Sequence, residues 1–499
     1  MSAQSNPIVI DNFQRGIATS PYVGFGKMVG LDIFKKPGII QCGARLVNTG
    51  ATFTGIVTAQ AIASNGTLFQ GTSDGKVYRN GTVIASGRGV IHDMVIIQDF
   101  LIISLNGTVL DLYGNISTGG VYTTSWKTGL EASVFGTKKM IVGKDNVVYI
   151  GNETKLASLR DFTPGTGTAT ATLTTQILLT GIFNNKVVQT LSEYNRFVAI
   201  MTSPGSGNYG NSTLYFMDRG TLDPSKTTFT IGIGVDIPEK NVNQMIIKDN
   251  RLYFFGNDTG TFYETNQVTW TPIAVLPNRL LSQTYTTYPN AICLLNNQIV
   301  LGIGGSVNPA WDVVYGVYGL QGNSLICKSI ISSGGYGQTN NISIGSVISG
   351  ASVDGYYASW QDGSTYGVDS ATTYIGTSFN VYFESRFFET GSAIKPRTFQ
   401  TIQFNLANNL VTGQSIKVKY RIASNDTWTT FATYSYSGTT LTMTYTDGSL
   451  TTTQTGNFNT FHSRFPVTNT TNIQLRVEFD TGANATYGTN IELQSIILI

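Results

Sequence analysis

Short apolar runs recur along the first three quarters of the chain, each closed by a corner of Asn, Asp or Gly. The clearest unit is KDNRLYFFGNDTGTFYE, residues 248–264. A polar corner at Asp249 and Asn250 opens it, a strand-like run from Leu252 to Phe255 follows, and Gly256-Asn257-Asp258 turns the chain back. Asn and Asp tolerate left-handed backbone angles and hydrogen-bond their own backbone, so they suit corners. Aromatic side chains fill a pleated, half-buried surface. A second copy, KDNVVYIGNETKLASL, starts at Lys144. The two copies predict an internal repeat.

Further units of the same texture begin near Ile56, Met94, Asn195, Ala291 and Ile342, several with Asn-Gly or Asp-Gly between apolar runs, the strongest short-range hairpin signal. The units start roughly 35 to 55 residues apart, close to the roughly 40 to 50 of propeller blades. The run from Met94 to Leu105 is long enough to suggest a helix. Its β-branched residues and the Asn106-Gly107 that follows predict buried strands instead. The reading is all-β: an irregular β-propeller of six or seven blades over residues 51–373, with a stacked pair of β-sandwiches as the alternative. Residues 1–50, rich in Gly and Pro, predict an extended N-terminal arm that packs on its own propeller or reaches a neighbouring subunit. From 374 to 499 the alternation is clean, with Ile416, Val418 and Tyr420 on one face and Lys417 and Lys419 on the other. That stretch predicts a C-terminal β-sandwich ending in a paired apolar strand.

Composition changes the picture in one respect. Charged residues make up only 12% of the 499, against roughly a quarter in typical globular proteins. So weakly charged a surface points to burial against other subunits. The net charge of +2 gives no signal for polyanion binding. Lys35 and Lys36 are a short basic pair near a loop, a candidate contact for DNA or a partner. Cys42, Cys293 and Cys327 lie far apart without metal or disulfide spacing, in keeping with a reducing compartment. No basic start with an apolar core opens the chain, and no run approaches the roughly 18 apolar residues of a membrane helix. The expectation is folding in the cytoplasm without a membrane anchor.

Candidate chemistry is sparse. Only His92 and His462 are present, and neighbours on a strand face opposite ways, so His92 and Asp93 form no relay. Asp354, Asp362 and Asp369 cluster, but Asp-Gly corners account for the first two. The Ser424–Trp428 stretch resembles a turn motif of sialidase blades, with Trp capping a sheet. The glycines from 302 to 305 lack the helix and Lys of a phosphate loop. Gly256-Asn257-Asp258 and Asp447-Gly448 could offer oxygens to calcium, but without the full loop pattern. No catalytic residue, metal ligand or cofactor is expected.

The opening IDNFQRGIATSPY…GLDIFKKPGIIQ, with its Pro37-Gly38 corner, and the closing IQLRVEFD…IELQSIILI resemble bacteriophage virion proteins. The order of arm, propeller and sandwich is similar to the tail nozzle proteins of short-tailed phages, also called packaged-DNA stabilisation proteins. The resemblance implies a non-enzymatic virion protein, made in the host cytoplasm, with six copies forming a ring at the tail end. Double-stranded DNA would pass through that ring without sequence-specific binding, and adaptor and tail fibre proteins would be neighbours. A fibre or baseplate protein binding host glycan is the alternative. The arm would supply the contact between subunits: Ile8, Val9 and Ile10 as a strand added to a neighbour's sheet edge, with Phe13 and Tyr22 as anchors.

Overall fold

The computed structural model describes residues 8–11, 13, 27–34, 36, 38–180, 186–205, 210–219, 228–276, 285–306, 314–333, 340–350, 355–373, 381–389, 397–423, 426–446, 451–456, 458–470, 472–482 and 491–499. Among them the structure is strands and turns, with one short 3-10 turn at Ile116–Thr118.

Among the described residues, seven blades lie within 57–85, 91–128, 140–174, 178–236, 244–275, 285–329 and 342–373, antiparallel throughout except for the parallel pair Leu178–Thr180 and Thr228–Ile231 in the fourth. Their innermost strands are Val57–Ile62, Ile91–Ile97, Met140–Val142, Lys186–Tyr194, Gln244–Lys248, Ile292–Leu295 and Ile342–Ser349. Each packs beside the next, and the seventh packs back on the first. The expected six or seven blades resolve to seven. The inner hairpin corners are tight because Asn146, Asn195, Asp249, Asn250, Asn296 and Asn297 adopt φ between 45° and 61°, as two-residue hairpins require. Both faces of a blade press on neighbours. That is why Phe100–Leu105 and Gln298–Gly305 are buried at every position and their sequences run apolar without alternation. The stretch from Met94 to Leu105 is the expected pair of strands, paired as Val95↔Ile102 and Ile97↔Phe100.

Blade seven has three strands of its own, and its fourth comes from the other end of the chain. Arg45–Asn48 pairs with Thr365–Thr373 through Leu46↔Ala371 and Asn48↔Asp369, and closes the ring. The Ser359 hydroxyl donates to the Val57 carbonyl across the seam between blades seven and one.

The C-terminal sandwich faces two sheets across a core that includes Phe383, Phe404, Ile416, Tyr434, Phe461, Val477 and Ile496. One sheet contains Glu492–Leu498, Arg397–Leu406 and Thr460–Thr470; the other contains Val381–Glu384, Asn472–Asp480, Ser415–Arg421 and Thr429–Ser437. Ile416 and Val418 point inward, while Lys417 and Lys419 point out and pair with Glu478. The strand Lys27–Val29 joins the two domains. It lies antiparallel to Val381–Glu384 and parallel to the outer strand of blade six at Val29↔Cys327. The sandwich is thus hydrogen-bonded to blade six.

The N-terminal segment runs extended through its own chain. Ile8, Val9 and Ile10 pair with Leu498, Ile497 and Ile496, and Ile40 and Gln41 continue along the same edge against Leu493 and Glu492. Ile8–Ile10, expected to add to a neighbour's sheet edge or to pack on its own chain, pairs here with its own C-terminal strand. An apolar C-terminal strand needs partners on both edges, and the chain supplies the second from its own start. Phe13, expected as an anchor, is fully buried within the chain, 5.8 Å from the Phe383 ring.

Candidate functional site

The inner strand of blade six is broken. Tyr285–Thr286 and Ile292–Leu295 both pair with Gln298–Gly305, at Thr286↔Gly304 and Ile292↔Leu301. Residues 287–291 leave the ladder between these two points. Pro289 lacks the N–H a ladder needs, which suits the break. The loop pushes toward the propeller axis, with the Asn290 side chain reaching across. Its Nδ2 donates to the carbonyl of Thr58 in blade one (2.9 Å) and of His92 in blade two (2.7 Å). Its Oδ1 accepts from Lys139 Nζ of blade three, and its backbone carbonyl accepts the Val347 N–H of blade seven at 2.9 Å. Blade five holds the loop from behind. Asn243 Nδ2 donates to the Thr287 carbonyl at 3.1 Å, and Gln244 Nε2 to the carbonyls of Ala291 and Gly302. Blades two and three face blade six across the ring, so these bonds span the axis and stopper it at this level.

The far side of the plug is equally fixed. Asp93 is buried; its carboxylate accepts the Met94 and Met140 N–H groups (2.8 and 2.7 Å) and pairs with Lys139 Nζ at 3.1 Å. Lys138 points the other way and is wholly buried, its ammonium donating to the carbonyls of Asn106, Gly107 and Glu131. Burial lowers its pKa to about 8. The Lys138 backbone N–H donates to His92 Nδ1 at 3.0 Å, so that nitrogen carries no proton. Burial pulls His92 down to about 4, with the Lys138 charge as a second cause. Blade four joins through Gln189, whose carbonyl accepts from Thr137 Oγ1 and whose Nε2 donates to the Phe135 carbonyl at 3.0 Å. The cluster binds charges in place and presents no nucleophile beside a base. His92 and Asp93, neighbours in sequence, serve separate partners.

The other candidates hold loops. Asp369 is buried and accepts the Ser332 N–H and hydroxyl (2.7 and 2.6 Å), and burial raises its pKa. Asp362 accepts from Ser333 Oγ and Asn340 Nδ2. Together they clamp the passage from blade six to blade seven; Asp354 lies outside the described residues. Asn257 Oδ1 accepts from Thr287 Oγ1, and the Asp258 carboxylate takes the N–H groups of Lys240 and Asn241. Asp447 and Gly448 lie outside the described residues. Among those described, no three His, Cys, Asp or Glu side chains converge as a metal site would need. Gly302 serves packing: a Cβ there would stand 2.1 Å from Ile344 Cγ2 of blade seven. Trp428 lies under the Arg421 guanidinium, 4.5 Å from its ring centre, while Ser424 and Asn425 lie outside the described residues. His462 is exposed on a strand opposite Gln403. Cys42, Cys293 and Cys327 are not joined in disulfides. Burial pushes all three up, Cys293 and Cys327 to about 12.

Lys36 is half exposed and pairs with the buried Glu492 carboxylate of the C-terminal strand at 2.5 Å. Lys36, expected to contact DNA or a partner, thus has an ion-pair partner within the chain. Lys35 and Tyr22 lie outside the described residues. Sequence reasoning missed the plug residues Asn290, Lys138 and Lys139. The one local signal was Tyr288-Pro289-Asn290, a turn-forming triplet placed where an inner strand should run.

No family model and no curated protein matches the sequence. Solved structures of similar shape include YCF48 bound to D1 peptide, at 10% identity and TM-score 0.41, covering 70% of this chain and 100% of that one. BamB from Moraxella catarrhalis matches at 13% identity and TM-score 0.38, covering 75% and 98%. The computationally designed Ika8 protein matches at 14% and 0.39, covering 65% and 99%. Among the described residues no helix is long and apolar enough to cross a membrane.

Proposed function

We propose that this chain is a non-enzymatic structural subunit of a bacteriophage tail, a nozzle protein that rings the DNA channel and retains packaged DNA. The observation that carries the reading is the Asn290 plug. A propeller that binds or turns over a small molecule on its axis needs an open central pocket there, and here polar bonds from blades five, seven, one, two and three fill it. Asp362 and Asp369, two of the three aspartates singled out from the sequence, are engaged in loop clamps. The work of the protein then falls to its outer surfaces, and DNA passes between copies rather than through a propeller. The 12% charged content and the resemblance in domain order support the same reading. Six copies form the ring, set between adaptor proteins and distal tail parts.

The test is a phage population assembled without this chain. Such particles are expected to lose packaged DNA, and particles that contain it to show a ring of density at the tail tip. Particles that lack the chain, keep their DNA and fail to attach to cells would replace this reading with receptor binding. Deleting residues 1–38 is a poor test, because it removes Ile8–Ile10, Phe13 and Lys27–Val29 from the protein's own core.

A further inference from the structure

On the propeller face opposite the plug, over blade three, the inner hairpin turns of blades two and three enclose a cavity of about 590 Å³. Ile96, Val142, Phe162 and Phe229 give it an apolar lining. Phe162 is half-buried and meets Phe100 and Trp126 edge-on, with ring centres 5.5 and 6.2 Å away. Polar groups ring the lining: Gln98 from the blade two corner, Asp145 and Asn146 from the blade three corner, and Arg160 and Asp161 from blade three's third strand. Gln98, Asn146 and Asp161 are exposed. Asp145 accepts from Tyr149 Oη at 2.8 Å and has Arg219 at 3.6 Å behind it.

We infer that this cavity binds a neutral saccharide of two or three rings. Its volume lies in the range of ligand pockets, roughly 300 to 1,000 Å³, and its make-up is theirs: apolar walls with a few convergent polar groups. The lining sets Arg160 against Asp145 and Asp161, and Arg219 behind Asp145 is paired with Glu193 at 2.7 Å. A phosphate, sulfate or nucleotide would find no cationic excess. A wholly apolar ligand would desolvate the rim carboxylates and carboxamides without offering them a hydrogen bond. A sugar ring matches both features, with an apolar C–H face for Phe162 and hydroxyls for planar carboxamide and carboxylate groups. The inference stands apart from the nozzle reading, since it needs neither a ring of copies nor DNA.

Gln98, Asn146 and Asp161 adopt φ of 55°, 58° and 55°, where glycine fits without strain. The triple variant Q98G/N146G/D161G therefore removes three rim side chains and keeps the backbone. Saturation-transfer NMR of the full chain, with lactose, cellobiose, maltose and N,N′-diacetylchitobiose as probes, reads the binding. At least one disaccharide is expected to give transfer to its ring C–H protons, and the triple variant, unfolding at the wild-type temperature, to bind it at least about tenfold more weakly. F162L is expected to weaken the same sugar. The inference is overturned by absence of transfer from every probe, by transfer that the triple variant leaves unchanged, or by glucose 6-phosphate outcompeting the neutral sugars.

Discussion

Replacing Asn290 with Ala should destabilise the propeller out of proportion to the few atoms removed. The side chain donates to two backbone carbonyls in different blades and accepts from the Lys139 ammonium. Net contributions are about 1 kcal/mol for each neutral bond and about 1.5 to 3 for the charged one. Water entering the vacated axis restores part, so the expected loss is about 2 to 4 kcal/mol. Asn290→Asp keeps the shape and the Lys139 contact, but turns an oxygen toward the carbonyls of Thr58 and His92. It should cost about 2 kcal/mol or more despite its added ion pair, which separates lost donors from lost packing. Urea unfolding followed by near-ultraviolet circular dichroism measures both. Amide exchange in the inner strands should quicken in blades one, two and three. An alanine variant within about 0.5 kcal/mol of wild type, with inner-strand exchange unchanged, would refute the plug as a structural element.

The remaining expectations concern other parts of the fold. His92 has a folded pKa of about 4 against 6.5 for the free group, so the unfolded chain binds more protons between those values. Stability should be fully present above about pH 6.5 and fall toward pH 4, by about 3 kcal/mol in all; urea midpoints at successive pH values read this, and a flat profile sinks it. Gly302→Ala drives a methyl into Ile344 and should lower stability by about 1 to 3 kcal/mol in the same assay. Deleting residues 1–48 strips the closing strand from blade seven as well as the sandwich strands, and should give a molecule that binds hydrophobic dye; a sharp native-like transition would contradict the closure. Cys42 and Cys327, buried with raised pKa values, should resist a thiol reagent at neutral pH until denaturant is added.

The blades were legible because two-residue hairpins demand positive φ, and the residues that supply it leave a visible mark. Asn146, Asn250 and Asn297 punctuate the sequence where the inner hairpins turn. Outer strands were harder to see. Thr82–Ala85 and Trp270–Val275 are half to fully exposed, so water, not a neighbouring blade, dictates their side chains. The closing strand Arg45–Asn48 and the pairing of Ile8–Ile10 with the C-terminal strand were invisible, since a strand's own residues do not name a distant partner. Hence the N-terminal segment was expected to have a free edge that its own chain fills. Asn290 looked like any turn residue, and only the ring around it makes it the point where blades one, two, three, six and seven meet.

The closure of blade seven also sets an order of events at synthesis. The strand Arg45–Asn48 leaves the ribosome before any blade, and its partner Thr365–Thr373 after the other blade strands. The Ser359 to Val57 bond spans 302 positions, and the Lys36 to Glu492 pair 456. Local hairpins can form as each blade emerges, but the ring stays an open arc with an unpaired edge until blade seven is complete. Long-range closure of this kind is slow and leaves strand edges exposed meanwhile. The nascent chain is therefore most vulnerable to pairing with another copy while the ring is incomplete, and the pairing of Arg45–Asn48 with Thr365–Thr373 ends that vulnerability.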